Sequence, residues 1–440
     1  MANRPNIIMY FSDQQRWDTM GCYGQKLDVT PNLDRLAAGG VLFKNAFTCQ
    51  PVCGPARASL QTGLYATETG CYRNGIALNP KADTIAKRLG AAGYDTAYVG
   101  KWHLASDEKG HDYLSAGVPP DRRGGYRDYW MASDVLEFTS HGYNGYVHDY
   151  DCNRVDFIGY RPDCINNYAI DFIRGHDGRN PFFLFISQIE PHHQNDHKRY
   201  EGPDGSKARF KDYEVPGDLL GTQGDWRENY PDYLGCCSSL DYNVGRLFET
   251  LKDRGIADDT VFIYTSDHGS HFCTRNDEYK RSCHDGCVHI PMILHGPGFG
   301  GGREIDGMVS LIDIPATILD CAGLEPPASY RGRPLNKLIN VPETEWDDCV
   351  FIQISESHVG RCVRTRKWKY AVRAEADGWK DQGADIYYEA YLYDLESDPH
   401  ERANLAASPE HASIREQLAV LLKAKMEGAG EPIPEILPMR

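Results

Sequence analysis

Basic residues are in short supply. Lysine and arginine total 47 against 63 aspartates and glutamates, a formal net charge of -16. A surface of that sign repels phosphate backbones and anionic lipid, which argues against a nucleic-acid or polybasic-membrane role. A small anionic substrate is still admitted, because a local cluster of cations can override the global field. Long hydrophobic runs are missing as well. No stretch approaches the roughly 20 apolar residues of a bilayer-spanning helix. The opening MANRPNIIMYFSDQQ also lacks the charged-then-apolar pattern of an export signal. The expectation is a cytoplasmic chain, or a periplasmic one whose leader has been removed. Regular cysteine spacing is absent too. The 14 cysteines are scattered, which suits reduced, buried, small apolar side chains rather than a disulfide framework. Internal repeats and low-complexity segments are lacking.

What is present indicates an α/β chain. At 440 residues the chain is long enough for two domains. Asn6 to Ser12 reads as a buried strand, Asn32 to Ala38 as a helix and Val41 to Ala46 as a strand. Thr84 to Ala92 reads as a helix ended by Gly93, and Asp95 to Val99 as the next strand. Pro181 to Ile189 and Thr260 to Thr265 are further apolar runs. The alternation predicts a large, mostly parallel sheet flanked by helices, with sites at the carboxyl ends of its strands. Residues 106–163 and 194–231 lose the pattern and read as long loops over the site. After Pro326-Pro327, short strands and a helix over Ser413 to Met426 predict a smaller α+β domain with an antiparallel sheet. The division expected is 1–340 and 341–440.

Several short elements carry chemistry. PVCGPARASLQTG, from Pro51 to Gly63, puts Pro55 in the first turn of a helix stopped by Gly63, with Cys53 just outside it. Arg57 lies about one turn further on. Free N–H groups, a helix dipole and a guanidinium together suit an oxyanion such as sulfate or phosphate. Asp13-Gln14 and Asp267-His268 each follow a buried strand and suit a hard divalent cation, with His268 leaving manganese open beside calcium. Taken alone, either aspartate could simply cap the next segment. Lys101 and His103 fall on one side if extended, and His192 and His193 occupy an equivalent place after another strand. Lys280, in RNDEYKRSCHD, reads equally as a solvated charge. A zinc site from His271, Cys273, Cys283, His284 and Cys287 lacks the tight cysteine pairs such sites show.

In order, Asp-Gln, C-x-P-x-R, G-K-W-H, P-H and S-D-H-G followed by a lysine resemble the formylglycine-dependent sulfatases of the alkaline phosphatase superfamily. LYDLESDPHERANL, Leu392 to Leu405, resembles that family's C-terminal domain. The resemblance implies that a formylglycine-generating enzyme oxidises Cys53, and that the hydrated aldehyde is the nucleophile. It implies one divalent cation, calcium before manganese or magnesium, on Asp13, Gln14, residue 53, Asp267 and His268. Arg57, Lys101 and Lys280 would neutralise sulfate oxygens, His192 would protonate the leaving oxygen, and His103 would help release sulfate. A swap of His192 with His193 is left open. Ala56 stands where many members have Ser, and Gln14 where many have Asp.

The stretch SDHGSHFCTRNDEYKRSCHD offers His271, Arg275, Asn276, Asp277, Arg281, His284 and Asp285 as partners for sugar hydroxyls. Tyr126, Tyr129, Trp130, Tyr143 and Tyr146 are candidates for stacking on a sugar face. The expected substrate is a sulfated carbohydrate, with a galactose-type 4-sulfate as first choice. A generic arylsulfatase and a phosphonate monoester or phosphodiester hydrolase are the alternatives with the same site. An unmodified Cys53 would leave only an anion-binding protein. No nucleic-acid or membrane partner is expected, and homo-oligomerisation is left open.

Overall fold

Asn6–Ser12 runs Ile-Ile-Met-Tyr-Phe without a polar break because it lies at the centre of a sheet covered on both faces. Ile7, Met9 and Phe11 enter one apolar core, and Ile8 and Tyr10 enter the other. Full burial of such side chains contributes about 1.5–3 kcal/mol each. The structure, a computed structural model, describes residues 4–342 and 346–439.

The larger sheet contains β1 (Asn6–Ser12), β2 (Val41–Phe47), β3 (Asp95–Lys101), β4 (Tyr129–Ser133), β5 (Ser140–His141), β6 (Asn144–His148), β7 (Arg154–Ile158), β8 (Phe182–Ser187), β9 (Thr260–Ser266), β10 (Met292–His295) and β11 (Arg303–Ser310). Their order is β11-β2-β10-β9-β1-β8-β3-β4-β6-β5, with β7 paired to β6. β1 lies parallel to β8 and β9, and β3 lies parallel to β8 and β4. The register positions the site. Ser12 pairs with Ser266, Phe11 with Ser187 and Gly100 with Ser187, so four strands end at one level. Asp13, Asp267 and Lys101 therefore emerge side by side.

The second sheet comprises β12 (Cys349–Ile354), β13 (Gly360–Thr365), β14 (Trp368–Arg373), β15 (Ile386–Asp394) and β16 (Glu435–Leu437). It is antiparallel up to β15, and β16 joins β15 in parallel. The helix Ala412–Gly428 covers it through Leu418, Leu422 and Met426.

Two expectations need correction. Residues 106–163 are not all loop: β4 extends the sheet in parallel, β5 to β7 add to it in antiparallel fashion, and Arg161–Gly175 is already helix. Their strands are short and carry Gly and Asp, which hid the period. The irregular stretch from Gln194 ends at Trp226, where a helix runs to Asp253 and includes Pro231.

Candidate active site

The helix Cys53–Thr62 begins at Cys53 itself, with Val52 as its N-cap, so the cysteine is the first helical residue rather than a flanking one. Asn74 Oδ1 accepts from the Gly54 N–H at 2.9 Å and ties down one otherwise unpaired donor of that turn. Arg57, one turn along, donates to Asp13 Oδ2 at 3.0 Å, to Ser187 Oγ at 2.7 Å and to the Lys101 carbonyl at 2.9 Å. These contacts lock the helix start to the ends of β1, β3 and β8.

Around Cys53 Sγ the structure gathers residues from distant segments. Asp13 Oδ1 is 3.4 Å away, His268 Nε2 3.3 Å and Lys280 Nζ 2.9 Å. Lys280 Nζ also lies 3.2 Å from His192 Nε2. Lys101 Nζ donates to Asp13 Oδ2 at 2.6 Å. All of these groups are buried. Of these, Cys53, Lys101, His192 and Lys280 form the floor of a cavity of about 600 Å³ whose walls include Asn74, His103, Glu137, Phe138, Asn195, Lys198 and Arg281.

The charges are unevenly balanced. Burial and the neighbouring Cys53 push Asp13 up, but Lys101, His192 and Arg57 outweigh them and hold its carboxyl well below the usual range. Asp267 goes the other way: burial and the adjacent Asp13 raise it to about 7. Burial alone would raise the Cys53 thiol, yet Lys101, Lys280 and His268 bring it well below the ordinary thiol value.

This cluster fits a cation. Oxygen, nitrogen and sulfur donors of Asp13, Cys53, Asp267 and His268 all fall within 4.8 Å of one another. Asp267 Oδ1 accepts from the Gln14 and His268 N–H groups at 3.0 and 2.8 Å, whereas its Oδ2 is buried without a hydrogen bond. A divalent ion would satisfy that oxygen and relieve the repulsion between the two aspartates. Gln14 donates from Nε2 to Tyr200 OH at 2.8 Å and Ser270 Oγ at 3.3 Å. Its amide oxygen is thus the end left for a ligand.

The neighbouring histidines separate clearly. His192 faces Lys280 and, through Nδ1, Glu137 Oε2 at 3.8 Å. His193 is stacked on Tyr279 at 4.0 Å and hydrogen-bonded to Tyr279 OH at 2.8 Å and Asn195 Oδ1 at 3.0 Å. His103 has φ 58°, and its loop is gripped by Asp134, which accepts from the N–H groups of Leu104, Ala105 and Ser106 at 2.9–3.0 Å. The His103 side chain lines the same cavity as Cys53.

The proposed sugar contacts are placed otherwise. His271 Nε2 donates to the Lys280 carbonyl at 3.0 Å, and Asn276 Nδ2 donates to the same oxygen at 3.0 Å. Arg275 binds the carbonyls of Glu401 and His400, and His284 binds Ser282 and Tyr393. None of these four lines the cavity. Their polarity serves to shape the Lys280 loop and fasten it to Tyr393 of the second sheet and to the His400 and Glu401 backbone. Of that stretch, Glu278, Tyr279, Lys280 and Arg281 reach the cavity. The aromatic candidates are also displaced: Tyr126 and Trp130 are core residues, Tyr129 binds the Tyr168 carbonyl, and Tyr146 lies under Arg154. Tyr143 is 41 % exposed and packs on Tyr160, away from the cavity. Among the described residues, the cysteines and histidines of 271–287 form no metal cluster.

Sequence reasoning missed Asn74, Glu137, Phe138, Asn195 and Lys198. Asn195 and Lys198 carried one usable signal, their position within six residues of His192.

Comparison with known proteins agrees with this geometry. The Sulfatase family model matches residues 5–324, and the model for the C-terminal region of N-sulphoglucosamine sulphohydrolase matches 277–428. The uncharacterized sulfatase YidJ of Escherichia coli is 29% identical, covering 98% of this chain and 88% of its own. An N-acetylglucosamine-6-O-sulfatase of Bacteroides thetaiotaomicron is 26% identical, with 96% and 86% covered. The crystal structure of a YidJ-type sulfatase from Bacteroides fragilis superposes with a TM-score of 0.84 at 26% identity, covering 98% of this chain and 97% of that one. Fold, motif order and family match therefore converge: the chain belongs to the sulfatase family of the alkaline phosphatase superfamily, and it is a sulfuric ester hydrolase.

Proposed function

We propose that this sulfatase hydrolyses a sulfate ester on a carbohydrate, as a monosaccharide or at a chain end. The observation that carries the reading is the cavity itself. Its floor holds Lys101, Lys280, His192 and the cation cluster around Cys53, with Arg57 bound behind it to Asp13, and its walls add Asn74, Glu137, Asn195, Lys198 and Arg281. A cationic floor suits sulfate, and fixed donors and acceptors on the walls suit hydroxyls. A galactose-type 4-sulfate remains the first sugar to test, beside the N-acetylglucosamine 6-sulfate on which a named relative acts.

In this reading a formylglycine-generating enzyme oxidises Cys53, and a divalent cation, calcium by preference, sits on Asp13, Gln14, Asp267, His268 and residue 53. When bound, these groups supply a hydrated aldehyde as nucleophile and a Lewis acid beside it. The remaining work falls to the chain. Arg57 and Lys101 hold Asp13 ionised and, with Lys280, place positive charge where sulfate oxygens gain negative charge. Lys280 spans Cys53 and His192, so it also sets the distance between nucleophile and acid. His192 offers Nε2 towards the ester oxygen, while Glu137 stabilises the imidazolium from the Nδ1 side. His103, which lines the cavity together with residue 53, would take a proton when sulfate departs.

Two measurements test this. Mass spectrometry of the Cys53 peptide from active protein should show the thiol replaced by an aldehyde, and only unmodified cysteine would refute the nucleophile. A panel of sulfated sugars, nitrophenyl sulfate, phosphonate monoesters and phosphodiesters should give the highest kcat/KM on a sugar. Higher values on phosphorus esters would move the chain to the phosphonate hydrolases, and on the aryl ester to a generic arylsulfatase.

A further inference from the structure

Beside the catalytic cavity, two loops bring together His141, Asp196 and His197. His141 Nε2 lies 2.7 Å from Asp196 Oδ2, and His197 Nε2 lies 3.9 Å from the same oxygen. The two imidazoles are stacked, with ring centres 4.3 Å apart and planes inclined by 10°. The three donor atoms lie within 4.8 Å of one another. A tetrahedral ion with bonds of about 2.0 Å needs donor separations of about 3.3 Å. That is midway between the two distances observed.

The ligands are already oriented from behind. Asp196 Oδ1 accepts from Gln194 Nε2 at 2.8 Å and from the His197 N–H at 3.1 Å, which leaves Oδ2 facing the histidines. His197 Nδ1 hydrogen-bonds Glu201 Oε1 at 2.6 Å. Glu201 is itself held by the Gly142 N–H at 2.7 Å and Arg199 at 3.2 Å. A carboxylate behind an imidazole fixes the tautomer and aim of a metal-binding histidine. Ion pairing alone explains the cluster less well. A hydrogen bond from His141 accounts for the 2.7 Å contact but not for the aim of His197 Nε2, whose Nδ1 is held by Glu201, at the same oxygen.

We propose that His141, Asp196 and His197 form a second metal site, of the zinc class, completed by water. The side chains are 42%, 57% and 37% exposed, so the ion can enter from solvent and keep an aqueous ligand. Two imidazoles and a carboxylate suit zinc, whereas calcium takes six to eight oxygen ligands. The bound ion clasps the β5–β6 hairpin to residues 194–201. Both ends of that clasp adjoin the catalytic cavity, the hairpin through the helical turn before it, which carries Glu137 and Phe138, and the other segment through Asn195 and Lys198. The site therefore fixes the spacing of the cavity rim without touching the reacting atoms.

Zinc binding to the full chain, saturated with calcium and followed by competition with a chromogenic chelator, tests the proposal. Wild type and Cys53→Ala should each take up one tightly held zinc per chain, and His141→Ala and His197→Ala should each lose it. Glu201→Gln keeps all three ligands and should weaken zinc by about 10–100-fold. Undiminished uptake in both histidine variants would overturn the site. So would loss of the zinc in Cys53→Ala, which would assign it to the catalytic cluster, or no tight zinc in wild type.

Discussion

Replacing Asp267 by asparagine should change stability in opposite directions with and without the cation. In the metal-free protein, Asp267 is raised from 3.8 to about 7 by burial and by Asp13. An acid whose folded value is raised stabilises the fold fully below its unfolded value and loses that contribution as pH rises towards the folded one. The affected window is therefore about pH 4 to 7. Three units at 1.36 kcal/mol each make about 4 kcal/mol lost by pH 8. Asparagine keeps the oxygen that accepts from Gln14 and His268, but carries no charge. Thermal melts in EDTA at pH 8 should thus show Asp267→Asn more stable than wild type, with the advantage fading towards pH 4. With calcium the order should reverse, since the variant lacks the carboxylate that binds the ion. A variant less stable than wild type in EDTA at pH 8, or equally stabilised by calcium, would refute both the repulsion and the ligand assignment.

Other outcomes follow from single contacts. Lys280→Met removes charge-assisted contacts to residue 53 and His192. It should cost about 2–4 kcal/mol of transition-state stabilisation, a 30- to 1000-fold fall in kcat/KM, with the melting temperature nearly unchanged. His192→Ala should slow a sugar sulfate far more than nitrophenyl sulfate, because only the sugar's poorly leaving oxygen needs a proton; equal losses would point away from an acid role. Lys369→Met leaves the buried Glu401 carboxylate without its cation and Asp285 with Arg364 alone. Denaturant unfolding should register a loss of about 3–5 kcal/mol.

The legible parts of this chain were those set by local pattern. Apolar runs gave β1, β3, β8 and β9, and because parallel strands end together, the residues that follow them meet. Motif order then joined Cys53, Arg57 and Lys280 to that edge. Wall residues were not legible, since Glu137 and Asn195 owe their places to loop paths rather than to any period. Tyr126 and Trp130 misled in the opposite direction: aromatic residues in a polar stretch resemble a sugar platform, but tertiary packing had claimed them for the core. Arg275 and His284 misled for a related reason. A buried interface needs hydrogen-bonding side chains as much as a substrate does, and sequence does not tell one demand from the other.

That interface has a consequence for how the enzyme can be divided. The segment carrying Lys280 is held at Arg275 by the Glu401 and His400 carbonyls, at Arg281 by Glu356, and at Asp285 by Lys369 and Arg364. The small sheet thus acts as a jig for Lys280, which precedes it in chain order. Severing the chain after the large sheet would set Lys280 adrift. An exchange of C-terminal domains between relatives would succeed only if residues 271–285 travelled with the sheet that grips them.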